Sequence, residues 1–255
     1  MTESYQEKYA RYYDLLYGDK DYEKECDFIE EILRNYAGST VEAILEGGCG
    51  AGGHAIPLAR RGYRITGIDI SEPMINTAKA KARKAKQRID FQVNDLRQFD
   101  IGRKFDACLC MFACLGYITD TGDLLKTFAN IRQHLKKNSL FVFDVWNGLA
   151  VMRILPSTRM KTVSDKDISI FRIAKPELDA VRHLCRVHYS LFVSRKDGAA
   201  EKIEETHNVR FFFPLELDHY LSETGFKVLK MCPFLDLPGK LDENTWNMAV
   251  VAQAK

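Results

Sequence analysis

The chain has 255 residues, a formal net charge of +2, and 46% hydrophobic against 28% charged residues. A chain of this size and balance buries a core without staples, and its near-neutral charge supplies no field that would gather nucleic acid or an anionic membrane. The polar, tyrosine-rich start has no export signal and no run of about 18 apolar residues follows, so a soluble cytoplasmic protein is expected, its seven irregularly spaced cysteines reduced.

Residues 4–36 read as two helices, the second repeating Phe28, Ile29, Ile32, Leu33 and Tyr36 at a helical period. VEAILEGG (41–48) reads as a strand entering a glycine loop, HAIPLARRG (54–62) as a helix stopped by Gly62, and YRITGIDI (63–70) as the next strand. Ser71 is a natural N-cap with Pro73 in the first turn of the helix after it. That helix carries KAKARKAKQR (79–88), whose cations suit a helix C-terminus and whose lack of aromatic partners argues against nucleic acid. Strands follow at 89–95, 104–112 and 139–146, with a helix over 121–137 between the last two. Strands alternating with helices predict an α/β fold on a mainly parallel sheet. After residue 150 the rhythm becomes β-like runs with a turn at RKDGAA (195–200), expected as an antiparallel insertion, and then a helix (214–225) and two closing strands. The expected organisation is an N-terminal helical cap (1–40), a cofactor-binding core (41–150), the insertion (151–213), and the final helix and strands (214–255).

The chemistry concentrates in EGGCGAGGH, Glu46–His54. Glycines at 48, 50 and 52 let the backbone turn sharply and approach a ligand, and the loop opens a helix whose N–H groups favour an anion. Asp69, at the end of the next strand, can accept from both hydroxyls of a ribose. Gly48, Gly50 and Gly53 also satisfy GxGxxG, so an NAD(P)-dependent oxidoreductase is an alternative. The helices ahead of the first strand, Glu46 at its end, and Asp95 after the third strand favour a different adenosyl cofactor. Cys108, Cys110 and Cys114 lie in an apolar run and lack the paired arms of a zinc site, so no metal is expected.

The stretch 43–146 resembles the class I S-adenosylmethionine-dependent methyltransferases. AILEGGCGAGGHAIPLA, ITGIDISEPMI, FQVNDLRQFD and FDACLCMFACLGYI stand in that family's motif order. The resemblance implies a Rossmann-like seven-stranded sheet of order 3-2-1-4-5-7-6 with the seventh strand antiparallel, and S-adenosyl-L-methionine as cofactor. It further implies that Glu46, Gly48, Cys49, Gly50 and Gly52 hold the methionyl end, with Asp69 on the ribose. Ile70 and Met74 pack beside the adenine, Asp95 and Leu96 meet its edge, and the Met111 carbonyl lies near the methionyl amine. YYDLLYGDKDY, CMFACLGYI and EETHNVRFFF are similar to the N,N-dimethyltransferases of nucleotide-linked amino sugars, which often carry His where this chain has Tyr117.

A small-molecule acceptor is therefore expected, an amino sugar first and an O-methylated sugar or other metabolite second. Tyr13, Tyr117 and His207 are the candidates for handling the acceptor's proton, Tyr13 and Tyr22 for closing over the cofactor, and Tyr17 and Arg210 for holding the acceptor. The insertion is expected to serve the substrate or to pair two copies in a homodimer.

Overall fold

The computed structural model describes residues 7–255. The expected first helix starts at residue 4, so its opening residues lie outside that range; α1 spans Glu7–Leu16 and α2 Tyr22–Tyr36. Asp21 caps α2 by accepting from Lys24 N, and the buried stripe of α2 is Phe28, Ile29, Ile32 and Leu33. The core continues through β1 (Ala43–Gly47), α3 (Ala55–Arg60), β2 (Arg64–Asp69), α4 (Glu72–Lys84), β3 (Asp90–Val93) and β4 (Phe105–Cys110). A 3₁₀ turn (Cys114–Tyr117), α5 (Thr121–Gln133) and β5 (Leu135–Trp146) follow. Ser71 caps α4 as its sequence predicts, accepting from Met74 N.

Two elements differ from expectation. Strand β5 begins at Leu135 rather than at 139: Leu135 pairs with Phe105 and Leu140 with Ala107, and left-handed Asn138 (φ 66°) absorbs the register change between them. The insertion opens with a helix, α6 (Gly148–Ile154), capped by Asn147 through Leu149 N. Its strands are β6 (Arg159–Ser164), β7 (Ile168–Asp179), β8 (Leu184–Arg195) and β9 (Ala200–Arg210). Helix α7 (Pro214–Glu223) and strands β10 (Phe226–Pro233) and β11 (Asn247–Ala254) complete the chain's elements.

The main sheet runs β3-β2-β1-β4-β5-β11-β10, with β11 antiparallel to both β5 and β10. This is the expected seven-stranded order, with the four insert strands set aside in a separate antiparallel meander. Strands β1 and β4, and β5 from Ser139 onward, carry almost nothing but buried residues, as strands covered on both faces must. One face packs Phe28, Ile29, Ile56, Ile75 and Leu109, the other Phe128, Ile131, Phe141, Leu217 and Phe226.

A third cluster joins cap and insert. Tyr9, Tyr12, Tyr13 and Leu16 of α1 bury against Ile170, Leu191, Val193 and Ile203 of the meander and against Met74 of α4. Each such side chain contributes roughly 1.5–3 kcal/mol by leaving water, so α1 is fixed to the insert by its apolar face. Polar ties reinforce it: the Tyr12 hydroxyl donates to Glu201 at 2.5 Å, and Lys161 Nζ donates to the Leu16 carbonyl at 2.9 Å. Among the described residues no helix is long and apolar enough to cross a membrane.

Candidate active site

The C-terminal ends of β1, β2, β3 and β4 open into one cavity of about 1050 Å³, part of it in open solvent, roofed by the start of the chain's helices. Ligands of open α/β sheets lie at this end, where the loops diverge. Of the sequence-predicted residues, Tyr13, Tyr22, Gly48, Cys49, Gly50, Asp69, Ile70, Met74, Asp95, Leu96, Met111 and Tyr117 line it.

The loop after β1 needs its glycines. Gly50 sits at φ +52°, a conformation L side chains rarely adopt, and a Cβ there would lie 3.3 Å from Met74 Cε. Gly50 N donates to Asp69 Oδ2 and Ser71 N to Asp69 Oδ1, both at 2.8 Å. The carboxylate is thereby held in one orientation at the cavity wall, with acceptor capacity remaining on each oxygen. Burial pushes Asp69 above the usual carboxylate range, and the two N–H groups oppose that rise.

Glu46 does not line the cavity. It lies beneath the loop, 2% exposed, with His54 Nδ1 3.5 Å from its Oε1 and no partner for Oε2 among the described residues. Burial works against a charged His54, but hydrogen bonds with Glu25 (2.6 Å) and Glu46 outweigh it and raise the imidazole to about 9. Glu25 also pairs with Lys20. The result is a buried row of alternating charge, Lys20–Glu25–His54–Glu46, running from the cap to the floor of the site. Sequence reading quotes His54 inside the motif without giving it this part; its partners lie on α2 and β1, beyond any local pattern.

Four other expected residues take different places. Gly52 faces Phe91, Ala78 and Ile56, so it serves packing rather than the cavity. Tyr17 stands one ring behind the wall, 4.7 Å from the Tyr13 centroid and edge-on to Phe112 at 5.4 Å. His207 lies behind Tyr117, its Nδ1 2.8 Å from the phenol oxygen. Arg210 is a correction: it is 5% exposed, donates to Thr121 Oγ1 (3.0 Å) and the Tyr220 hydroxyl (3.3 Å), and stands 3.7 Å from Glu216. It locks the end of β9 to α5 and α7, because a guanidinium buried there must be paired, and it does not reach the cavity. Asp95 lines the wall with both carboxylate oxygens engaged by Arg97, which also pairs with Asp123. That guanidinium holds Asp95 below the usual carboxylate range.

The cavity wall also includes Ala51, Gly53, His54, Ser71, Asn94, Phe112, Cys114 and Ile118. Phe112 and Ala113 are consecutive left-handed residues (φ 61° and 55°), a conformation that their identities do not announce. The Ala113 N–H there donates to Asp144 Oδ2 at 3.1 Å.

The residues present fit an adenosyl sulfonium cofactor. A buried carboxylate oxygen on Glu46 lacks a partner, Gly50 leaves backbone close to the cavity, and Asp69 is pre-oriented for a diol. The dinucleotide alternative gives way on Gly53. In that fingerprint the third glycine admits helix–strand packing, whereas a Cβ on Gly53 would meet the Tyr22 ring at 2.3 Å.

Comparison with known proteins agrees. Residues 44–138 match the family model described as a methyltransferase domain. A Geobacillus sp. protein, whose methyltransferase name carries no substrate, is 29% identical over 88% of this chain and 90% of its own. The dTDP-3-amino-3,4,6-trideoxy-alpha-D-glucopyranose N,N-dimethyltransferase of Streptomyces venezuelae is 28% identical over 72% of this chain and 83% of its own. The crystal structure of an S-adenosylmethionine-dependent methyltransferase from Clostridium acetobutylicum superposes with a TM-score of 0.83 at 23% identity, over 97% of this chain and 98% of that one, and so shares the fold. With sheet order, glycine loop and family model in accord, this chain is an S-adenosylmethionine-dependent methyltransferase.

Proposed function

We propose that this enzyme methylates the amino group of a nucleotide-linked sugar. The observation that carries the proposal is Arg172 on β7. Its guanidinium lies 5.6 Å over the Tyr17 ring and 5.5 Å over Tyr189, one ring behind the cavity wall. Among the described residues it forms no ion pair with a carboxylate; it donates to the Tyr17 hydroxyl at 3.4 Å, and its Nε has no acceptor. A half-buried guanidinium with no carboxylate in ion-pair contact is suited to the phosphates of a nucleotide diphosphate. The amino-sugar activity in the name of the Streptomyces venezuelae relative supports the same acceptor class.

In this reading the loop at Gly48–Gly50 holds the methionyl end of the cofactor, and the buried Glu46 beneath it supplies negative charge toward the methionyl amine. Asp69 holds the ribose, Ile70 and Met74 flank the adenine, and Leu96 N–H meets its edge. Asp95 reaches the adenine amino group only if Arg97 yields one of its contacts. The cofactor supplies an electrophilic methyl carbon. The protein's part is to place the nucleophile in line with it, which removes on the order of 7–11 kcal/mol of the barrier, and to keep water out. Tyr13 and Tyr22 form the lid for that purpose; burial pushes the Tyr22 phenol up to about 12, so it stays neutral. An apolar wall also disfavours a protonated amine, leaving the lone pair available.

The insert and α1 form the roof over the acceptor, and exposed Met160, Phe171 and Phe192 on the meander offer a face for pairing two copies. Seven free thiols suit work in a reducing cytoplasm. The test is to incubate the enzyme with cofactor and dTDP-3-amino-3,4,6-trideoxyglucose and follow the product by mass spectrometry. Addition of one and then two methyl groups on nitrogen is expected. Methylation only of an analogue with a hydroxyl in place of the amine would turn the reading to O-methylation, and no product with either would overturn it.

A further inference from the structure

The buried row Lys20–Glu25–His54–Glu46 begins and ends on groups that lack part of their complement. Lys20 lies in the link between α1 and α2, and its side chain is 12% exposed. An ammonium has three N–H donors and no acceptor. Among the described residues Glu25 is the one oxygen partner of Lys20. Its other neighbours are ring faces, Phe112 with its centroid 4.2 Å from Nζ and Tyr22 at 5.2 Å. The rings attract the charge but supply no oxygen to the remaining donors. At the far end Glu46 leaves Oε2 without a partner among the described residues.

The charges inside the row do not cure this. Glu25 is shared, with Oε1 on Lys20 and Oε2 on His54 at 2.6 Å. Burial opposes its charge, yet those two cations hold Glu25 below its ordinary range. One carboxylate thus serves two cations at the cap end, while at the floor His54 approaches only Oε1 of Glu46, at 3.5 Å. The row is balanced as a whole but polarised, with positive charge in excess at Lys20 and negative charge at Glu46. Both ends border the glycine loop. Phe112 and Tyr22, the rings against Lys20, line the cavity. Tyr22 closes on Gly53, and Cys114, two residues after Phe112, closes on Gly48, where a Cβ would lie 2.8 Å from it. Glu46 lies beneath the same loop.

We propose that Lys20 binds the carboxylate at the methionyl end of the cofactor. That end is an α-amino acid, with an ammonium and a carboxylate on one carbon. Laid against the row, it gives each terminus what it lacks: Glu46 faces the ammonium, and Lys20 donates to the carboxylate. Charge-assisted bonds of this kind are the strong ones. A lysine suits the task because its four-carbon stem is flexible and its three donors rotate, so Nζ can turn from the two rings toward the cavity. Lys20 comes from the link between the cap helices, and the same contact therefore ties the cap to the bound cofactor. The inference rests on the placement of the methionyl end in the preceding section and not on the identity of the acceptor.

Calorimetry with two ligands tests this without turnover. S-Adenosylhomocysteine carries the carboxylate; its decarboxylated form keeps the amine, the thioether and the adenosine. The unaltered enzyme should bind S-adenosylhomocysteine at least about tenfold more tightly than the decarboxylated form. Equal affinities would overturn the proposal with no variant needed. In Lys20→Met the preference should disappear, S-adenosylhomocysteine losing at least about tenfold in affinity and the decarboxylated form staying within about twofold. Lys20→Arg should keep the preference, because a guanidinium also donates to a carboxylate. A Lys20 that served only as a strut between Glu25 and the Phe112 ring would, on removal, weaken both ligands alike and leave their ratio untouched; that result overturns the proposal. Gly50→Val should abolish binding of both ligands, and a variant that still bound both would overturn the placement of the methionyl end and the role of Lys20 with it. The acceptor takes no part in these measurements, so the amino-sugar reading stands or falls separately, on product formation.

Discussion

Asp144, on β5, is 2% exposed, with Oδ2 accepting from the Ala113 N–H and no partner for Oδ1 among the described residues. Burial raises it from 3.8 to about 6, against the pull of that N–H and of the Lys20 charge. The unfolded chain thus releases this proton more readily than the native one. Stability from the protonated form is full below pH 3.8 and is lost as pH rises through 6. At 1.36 kcal/mol per pH unit the whole interval is worth about 3 kcal/mol, of which about 1.4 kcal/mol separates pH 5 from pH 8. Asp144→Asn keeps the shape and the acceptor for Ala113 but cannot ionise. Its stability relative to the parent should therefore increase by about 1.4 kcal/mol between pH 5 and pH 8. Urea unfolding is the assay, read through Trp146 and Trp246, whose rings lie 5.6 Å apart beside this strand. An advantage equal at both pH values would refute the argument, for it would mean that the native carboxyl titrates as it does in the unfolded chain.

Four further outcomes follow from the structure. Asp69→Ala should weaken S-adenosylhomocysteine binding by about 1.5–3 kcal/mol in calorimetry, since a charged acceptor for two hydroxyls is lost along with the anchor for Gly50; unchanged affinity in a folded variant would remove Asp69 from the cofactor site. Gly50→Val should abolish that binding while leaving the circular dichroism of the sheet intact, because a branched side chain fits neither φ +52° nor the gap to Met74. Arg172→Ala should raise the KM for a nucleotide-linked acceptor about tenfold or more and leave the cofactor KM alone. Arg210→Ala should instead cost about 3 kcal/mol of stability through its stranded partners; the reverse pattern would exchange their roles.

The sheet and the glycine loop were legible because their signals are local. Hydrophobic runs, Ser71 before Pro73, and Glu46 to His54 all lie within a few residues of what they determine. Helix α6 escaped because it is short and capped by Asn147 inside an otherwise β-like stretch. The first half of β9, AEKIEET, is polar at most positions, and its inward Glu205 disguises the alternation that would mark a strand. Arg210 was misplaced for a related reason. Its partners Thr121 and Tyr220 come from separate helices, so sequence spacing gives no sign that this cation is enclosed. Tyr117 and His207 were each singled out as chemically suited, but their pairing across 90 positions belongs to the tertiary structure.

The two sheets also differ in how they can be assembled. In the meander every strand pairs with its neighbour in the chain, so it closes through short loops and can form as soon as β9 exists. The main sheet must wait: β11 slides between β5 and β10, with Asn247 meeting Trp146 across the whole intervening meander. Until that happens the β5 edge, LFVFDV, presents unpaired backbone and apolar side chains. That edge is the point where a nascent or refolding chain is open to strand exchange with another copy. Folding yield should consequently depend on protein concentration through β5, while the meander, already assembled, stands waiting beside an unfinished sheet.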